Sequence, residues 1–279
     1  MKKIIIGFVL FMECLSMNSQ NKDTYQVYAL NYTGNAYSAA NNWAVGADEH
    51  DSIQICAMVW LLKGENGKNI LVDAGYLDTL KSDFKDYIRP DSLLKTINLD
   101  PADITDVILT HPDNDHIGGI NLFPESKVWM QEDDFNYFVG KYWQESDSSK
   151  RFNKNDVRNL IEINLQGRLK LIKGDNIEIF PGIRVYTGSK HTFENQYLLV
   201  NSNSKDNKIL IASDAIWVYY NLDNLVSIPW AVLDQAAYVE AIKRMKTLVT
   251  DPNLIIPGHD AAVFTRFPLI TDRIVKIGN

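Results

Sequence analysis

Within six residues, His111, Asp113, Asp115 and His116 supply two imidazoles and two carboxylates. Pro112 keeps the start of this segment from continuing as helix, so it reads as a loop whose side chains can converge. Gly118 and Gly119 behind it let backbone pack closely where a helix begins. Imidazole and carboxylate without thiolate suit zinc, iron, manganese or a mixed pair, not a structural thiolate-rich zinc site. Further candidates close strand-like runs: His191 after IRVYTGSK, Asp214 ending KILIASD and His259 ending LIIPGH. Taken singly, each reads as a cap or a solvated turn residue. Together, in the order His-x-Asp-x-Asp-His, His, Asp, His, they favour a metal centre. Four of the five histidines stand at such run ends, and the fifth, His50 in ADEHDS, reads as surface. Asp73 in NILVDAG is a candidate hydrogen-bond partner for a ligand histidine, with turn capping as the alternative.

The elements that must position these groups are legible as short apolar runs. Strands are expected at 25–31, 55–62, 69–73 and 106–109, the second and third joined through Gly64-Glu65-Asn66-Gly67, a hairpin signal. Helical patterns cover about 78–88 and 91–97. A strand at 127–130 precedes an aromatic stretch with Trp129, Phe135, Tyr137, Phe138, Tyr142 and Trp143. Core packing is one reading of these rings, an apolar lid over the site the other. Lys141, Lys150, Arg151 and Lys154 among them read as a solvated face. A second strand series follows at 169–173, 177–180, 183–186, 196–200 and 208–213, with a turn at Pro181-Gly182. A long helix is expected over 231–250, feeding a strand at 254–256. Two packed sheets with helices outside fit that order.

The 279 residues are 46% hydrophobic and 23% charged, which excludes disorder and supplies material for a core. With 28 basic against 35 acidic side chains the net charge is −7, so no overall field draws the chain to a phosphate backbone, and no nucleic-acid partner is expected. Lys2 and Lys3, the apolar run 4–12 and small polar residues to Gln20 read as a signal peptide over 1–20, with a buried N-terminal element as the alternative. Nine apolar residues fall short of the about 20 that a membrane-spanning helix needs. The expected mature chain is one domain, 21–279, periplasmic or secreted. Cys14 leaves a lipid anchor open, and Cys56, in ICAMVWLL, reads as a buried inert thiol.

From Ile55 to Asp260 the sequence resembles the metallo-β-lactamase superfamily. NILVDAG, LDPADITDVILTHPDNDHIGG, ASDA and IIPGHD match its elements in order. The resemblance implies an α/β fold, a four-layer αββα sandwich with the site at one sheet edge. It also implies two divalent metal ions, with zinc the first expectation and iron or manganese as alternatives. His111, Asp113 and His191 would hold one ion, Asp115, His116 and His259 the other, with Asp214 bridging. The motif is most similar to the N-acyl homoserine lactonase and glyoxalase II-like branch. That similarity implies a hydrolase of a lactone or related ester whose small-molecule substrate carries an apolar moiety. Asp115 and Asp214 are then the catalytic carboxylates. A phosphodiesterase or nuclease of the same fold and a di-iron redox enzyme are the alternatives, and the oligomeric state is open.

Two positions depart from the pattern. Asp113 stands where the family commonly has histidine, which adds a negative charge and should weaken Lewis acidity toward water. Trp217 stands where the lactonases often carry a tyrosine that assists the substrate carbonyl. An indole N–H only donates, so that role is either absent or transferred to Tyr219, Tyr220 or another residue. Phe135, Phe138, Tyr142 and Trp217 are the other expected pocket residues.

Overall fold

The computed structural model describes residues 23–77, 86–145, 151–203 and 208–278. The expected signal peptide, Cys14 and most of the helix expected at 78–88 lie outside them. In chain order the first elements are β1 (Tyr25–Asn31), β2 (Ala36–Ala39), β3 (Ser52–Ile55), β4 (Met58–Gly64), β5 (Asn69–Val72) and α1 (Pro90–Lys95). There follow β6 (Asp106–Ile108), α2 (Asn114–Ile117), β7 (Lys127–Gln131), α3 (Glu132–Val139), α4 (Lys154–Leu165) and β8 (Leu169–Ile172). The remainder comprises β9 (Ile177–Phe180), β10 (Ile183–Tyr186), β11 (Tyr197–Asn201), β12 (Lys208–Ser213), α5 (Tyr219–Asn224), α6 (Gln235–Leu248), β13 (Ile255–Pro257), α7 (Val263–Arg266), β14 (Leu269–Thr271) and β15 (Ile274–Ile277).

These strands form an eight-stranded sheet in the order β14-β15-β1-β4-β5-β6-β7-β8 and a five-stranded sheet in the order β13-β12-β11-β10-β9. A separate ribbon pairs β2 with β3. Side chains alternate faces along a strand, and β4 shows what that does. Met58, Trp60 and Leu62 enter the core shared with the five-stranded sheet. Val59 and Leu61 face a second core, built with Leu93 and Leu94 of α1 and Leu160 and Ile163 of α4. On the other sheet, Tyr238, Ile242 and Met245 of α6 join the first core. The result is the expected αββα sandwich. As a fully buried pair of apolar faces, the sheets gain on the order of 25 cal/mol per Å² of apolar surface removed from water.

Among the described residues the expected bounds hold to within a residue or two with two exceptions, while β2, β14 and β15 fall where no element was expected. The run expected as one strand over 55–62 is divided, because β3 ends at Ile55 and β4 starts at Met58. The long helix starts at Gln235, not at 231. Asp234 accepts hydrogen bonds from the N–H groups of Ala236 and Ala237 and so caps it, while Ala231 sits at φ 55°, outside helical backbone.

Candidate metal centre

Every ligand candidate leaves a strand at the same edge of the sandwich. His111, Asp113, Asp115 and His116 follow β6 of the larger sheet. His191, Asp214 and His259 follow β10, β12 and β13 of the smaller one. The loop after β6 is held close to the end of β5: Ala74 N donates to His116 O at 2.7 Å and Gly119 N to Gly75 O at 2.7 Å. A Cβ on Gly119 would stand 2.2 Å from Ala74 O, so only glycine permits this approach.

The seven side chains converge as two groups. His111, Asp113, His191 and Asp214 bring ligating atoms together in one, and Asp115, His116 and His259 in the other. Asp214 lies between them. Its Oδ1 is 3.3 Å from His116 Nε2 and 3.1 Å from His259 Nε2, and its Oδ2 is 3.2 Å from His191 Nε2 and 3.7 Å from His111 Nε2. The other nitrogen of three rings is engaged outside the centre. His116 Nδ1 lies 2.8 Å from Asp73 Oδ2, His111 Nδ1 2.9 Å from Thr110 Oγ1 and His259 Nδ1 3.1 Å from Cys56 O. With Nδ1–H donating outward, each Nε2 lone pair points inward, the arrangement a metal-binding histidine requires. The buried His111 Nε2, His116 Nε2 and Asp214 Oδ1 have no hydrogen-bond partner. Most buried polar atoms in proteins are paired, and three unpaired ligating atoms meeting at one point form a donor set that fits two divalent cations.

Without an ion, and against the effect of burial, the carboxylates of the centre hold His116, His191 and His259 toward the charged form, so a metal entering there would release their protons. Burial opposes ionisation of Asp214, but His259, His116, His111 and His191 outweigh it and hold the carboxyl well below its usual range. Burial and the neighbouring His116 push His111 below the ordinary imidazole value, which favours the neutral ligand form. For His116, burial acts against charge, yet Asp115, Asp214 and Asp73 prevail and raise it well above that value.

Asp73 is a hydrogen-bond partner of the ligand loop, as expected, and the turn-capping alternative understates it. Fully buried, it accepts from Thr110 N at 2.7 Å, from Thr110 Oγ1 at 2.8 Å, from Ser213 Oγ at 3.1 Å and from His116. Asp73 and Ser213 adopt positive φ, 61° and 46°, at the ends of strands from different sheets. Backbone held in that sparsely populated region is found where the surrounding structure fixes a functional geometry.

Arg151 overturns the solvated-face reading. Its Nε and Nη2 grip both oxygens of Asp113, at 2.8 and 2.7 Å, and hold that carboxyl well below its usual range although burial opposes ionisation. The charge that Asp113 adds is therefore offset beside it, which removes the basis for expecting weaker Lewis acidity. A signal was available in retrospect: an additional buried carboxylate requires a cation nearby. Lys141 is exposed as expected, and His50 is an exposed surface residue.

Above the centre opens a cleft of about 930 Å³ lined by Trp43, Tyr137, Tyr142, Trp217, Trp230 and Leu233 with Asp113, Asp115, Glu145 and Arg151 among the polar groups. Trp217 and Tyr142 are thus placed as expected. Phe135 and Phe138 are not, because both are buried in the core behind α3. Tyr219 and Tyr220 do not line the cleft either. Tyr219 is buried beneath Arg266, whose guanidinium stands 3.5 Å over its ring, and Tyr220 packs against the first core. The Trp217 indole donates to Asp214 Oδ2 at 2.8 Å. Trp43 and Trp230 flank Trp217 with ring centroids 5.1 and 4.8 Å away. No sequence signal marked those two, since they reach the cleft only through the loops before β3 and α6.

Fold and ligand set define an αββα sandwich with a candidate dinuclear-metal centre at one sheet edge. The chain belongs to the metallo-beta-lactamase superfamily, whose family model matches residues 57–259. Among curated proteins it is 26% identical over 170 residues to an N-acyl homoserine lactonase of a Bacillus species, covering 61% of each chain. It is 25% identical over 181 residues to the N-acyl homoserine lactonase AiiB of Rhizobium rhizogenes, covering 64% of this chain and 65% of that one. The matched region thus spans about three-fifths of the length of the Bacillus relative. A solved quorum-quenching N-acyl homoserine lactone lactonase superposes with a TM-score of 0.70 at 20% identity, covering 90% of this chain and 98% of that one. AidC, a dizinc quorum-quenching lactonase in complex with a product, gives 0.64 at 14% identity, covering 93% and 98%.

Proposed function

We propose that the protein is an exported dinuclear-metal hydrolase that opens a lactone or cleaves a related carboxylic ester carrying an apolar moiety. The observation that carries this reading is Asp214, whose two oxygens face two separate ligand groups at the floor of an aromatic-walled cleft. His111, Asp113 and His191 would hold one ion and Asp115, His116 and His259 the other, with Asp214 shared and zinc the first candidate. When bound, two divalent ions supply Lewis acidity toward a carbonyl oxygen and lower the pKa of water toward neutrality. Asp115 has the most open of the ligand carboxylates, its side chain 36% exposed against 16% for Asp113 and 4% for Asp214, and is placed to orient or accept a proton. Trp43, Trp217 and Trp230 exclude water from one wall and offer an acyl group an apolar surface. The lactonase relatives support the choice of lactone.

Purification without added metal, followed by metal analysis and a screen of lactones, aryl esters and bis-nitrophenyl phosphate, tests the reading. Two metal equivalents and lactone turnover abolished by Asp214→Ala are expected. A single tightly bound ion that survives this substitution would sink the bridging role, and preferential phosphodiester cleavage would sink the substrate class. Export predicts a mature N-terminus near Asn21, read by N-terminal sequencing of protein recovered outside the cytoplasm. Intact Met1 on a cytoplasmic form contradicts it.

A further inference from the structure

The two ligand groups differ in what reaches them from outside. Arg151 contacts the ligating atoms of the first. Besides gripping Asp113, its Nη2 stands 3.1 Å from His191 Nε2, and its Nη1 donates to His191 O at 3.2 Å. His191 Nε2 is the atom that also lies 3.0 Å from Asp113 Oδ2 and 3.2 Å from Asp214 Oδ2. For Asp115 in the second group, the described ion-pair partners are His116 and His259 alone, with no Lys or Arg among the described residues.

We propose that Arg151 is a positioning residue that makes the His111/Asp113/His191 group the weaker, exchangeable half of an asymmetric dinuclear centre. The inference rests on the dinuclear reading above. Asp113 and Arg151 together carry no net charge, as a neutral imidazole would, so the pair restores the charge balance that carboxylate alone would upset. The restoration is not equivalent to imidazole, however. The guanidinium occupies lone pairs on both Asp113 oxygens and leaves a fixed positive charge against the donor atoms of that group. A cation entering there must share Asp113 with Arg151 and meets that charge at short range in a partly desolvated setting, where Coulomb repulsion is only weakly screened. Arginine suits this task better than lysine because its planar fork holds both oxygens at once.

The test is a titration of chelator-stripped mature protein with Zn²⁺ by calorimetry and with Co²⁺ by visible absorption, and folding is checked by far-UV circular dichroism. Wild type should show two steps separated by at least about tenfold. Arg151→Gln should tighten the weaker step by about tenfold and leave the stronger within about twofold. Arg151→Lys, which keeps the charge but not the fork, should fall between wild type and Arg151→Gln. Asp113→His should lose the weaker step, because the guanidinium then faces imidazoles unpaired, and Asp113→His with Arg151→Gln should recover it. If Arg151 only braces the loop, Arg151→Gln weakens that step and lowers the melting temperature, which overturns the proposal. Two steps of equal affinity in wild type, or no change in Arg151→Gln, overturn it while leaving the dinuclear reading intact. If neither wild type nor Arg151→Gln takes up a second ion, the dinuclear reading falls and this inference with it.

Discussion

At Asp73, donors from three other residues, Thr110, His116 and Ser213, converge on one buried carboxylate. Removing it strands them, at about 1–3 kcal/mol for each group left unpaired, and frees His116 to rotate. Asp73→Ala is therefore expected to lower stability by a few kcal/mol and metal affinity by about 10–100-fold. Denaturant unfolding and metal analysis would read the two effects separately, and full metal occupancy would remove Asp73 from the supporting set. Trp217 acts on Asp214 in a simpler way. Trp217→Phe keeps a ring in the aromatic cluster but deletes the donor to Oδ2. Metal affinity should fall by about 10–100-fold with little change in stability, and equal loss of both would assign the indole to packing alone. At this scale the seven ligand candidates were legible because metal chemistry restricts residue type and the strand ends restrict place. Arg151 was not, because a lone arginine in a basic, aromatic stretch has no pattern to separate a buried ion pair from a solvated face.

Between elements, the connection from α3 to the loop carrying His191 runs through Asp134. Its carboxylate accepts from Thr192 Oγ1 at 2.6 Å and from Glu194 N at 3.0 Å. Burial raises its pKa to about 6 in spite of those two bonds. The sign follows from linkage. Below the unfolded value near 4 the group is protonated in both states and costs nothing. As pH rises from there toward 6 the unfolded chain ionises first, so stability declines and stays reduced above pH 6, by up to about 3 kcal/mol. Asp134→Asn keeps an acceptor for Glu194 N and supplies a donor to Thr192 Oγ1. The variant is expected to be more stable than wild type at pH 8, with the difference shrinking toward pH 4.5. Unfolding curves at the two pH values decide it, and a difference independent of pH would contradict the buried-carboxyl account. Most strands of the two sheets were legible because burial on both faces leaves apolar runs in the sequence, whereas β2 and β14, short and largely open to solvent, and β15 beside β14 were not. The start of α6 was misjudged because apolar residues before Asp234 continue the pattern, while the cap that ends it depends on backbone geometry.

For the whole molecule, the centre joins the two sheets. His111, Asp113, Asp115 and His116 extend from the larger, and His191, Asp214 and His259 from the smaller. Away from this edge the sheets are held by the apolar core between them, to which Trp60, Leu62, Val72, Val185 and Ile211 belong and which needs no ligand. Ions bound only by the folded state stabilise it by mass action, about 4 kcal/mol at a free concentration a thousand times Kd. For a chain of this size that is on the order of 10 °C in melting temperature. Chelation is therefore expected to lower the melting temperature by about 10 °C and to loosen the molecule locally before it loosens globally. Hydrogen exchange should accelerate first in the loop after β6, the loop after β10 and the segments following β12 and β13, with the β1–β4 ladder protected until global unfolding. If chelation instead raised exchange uniformly across both sheets, the ions would be holding the fold as a whole and not its one edge. If it changed neither melting nor exchange, the seven residues would form a polar cluster stable without metal, and the charge balance among their imidazoles, carboxylates and Arg151 would be sufficient to hold it.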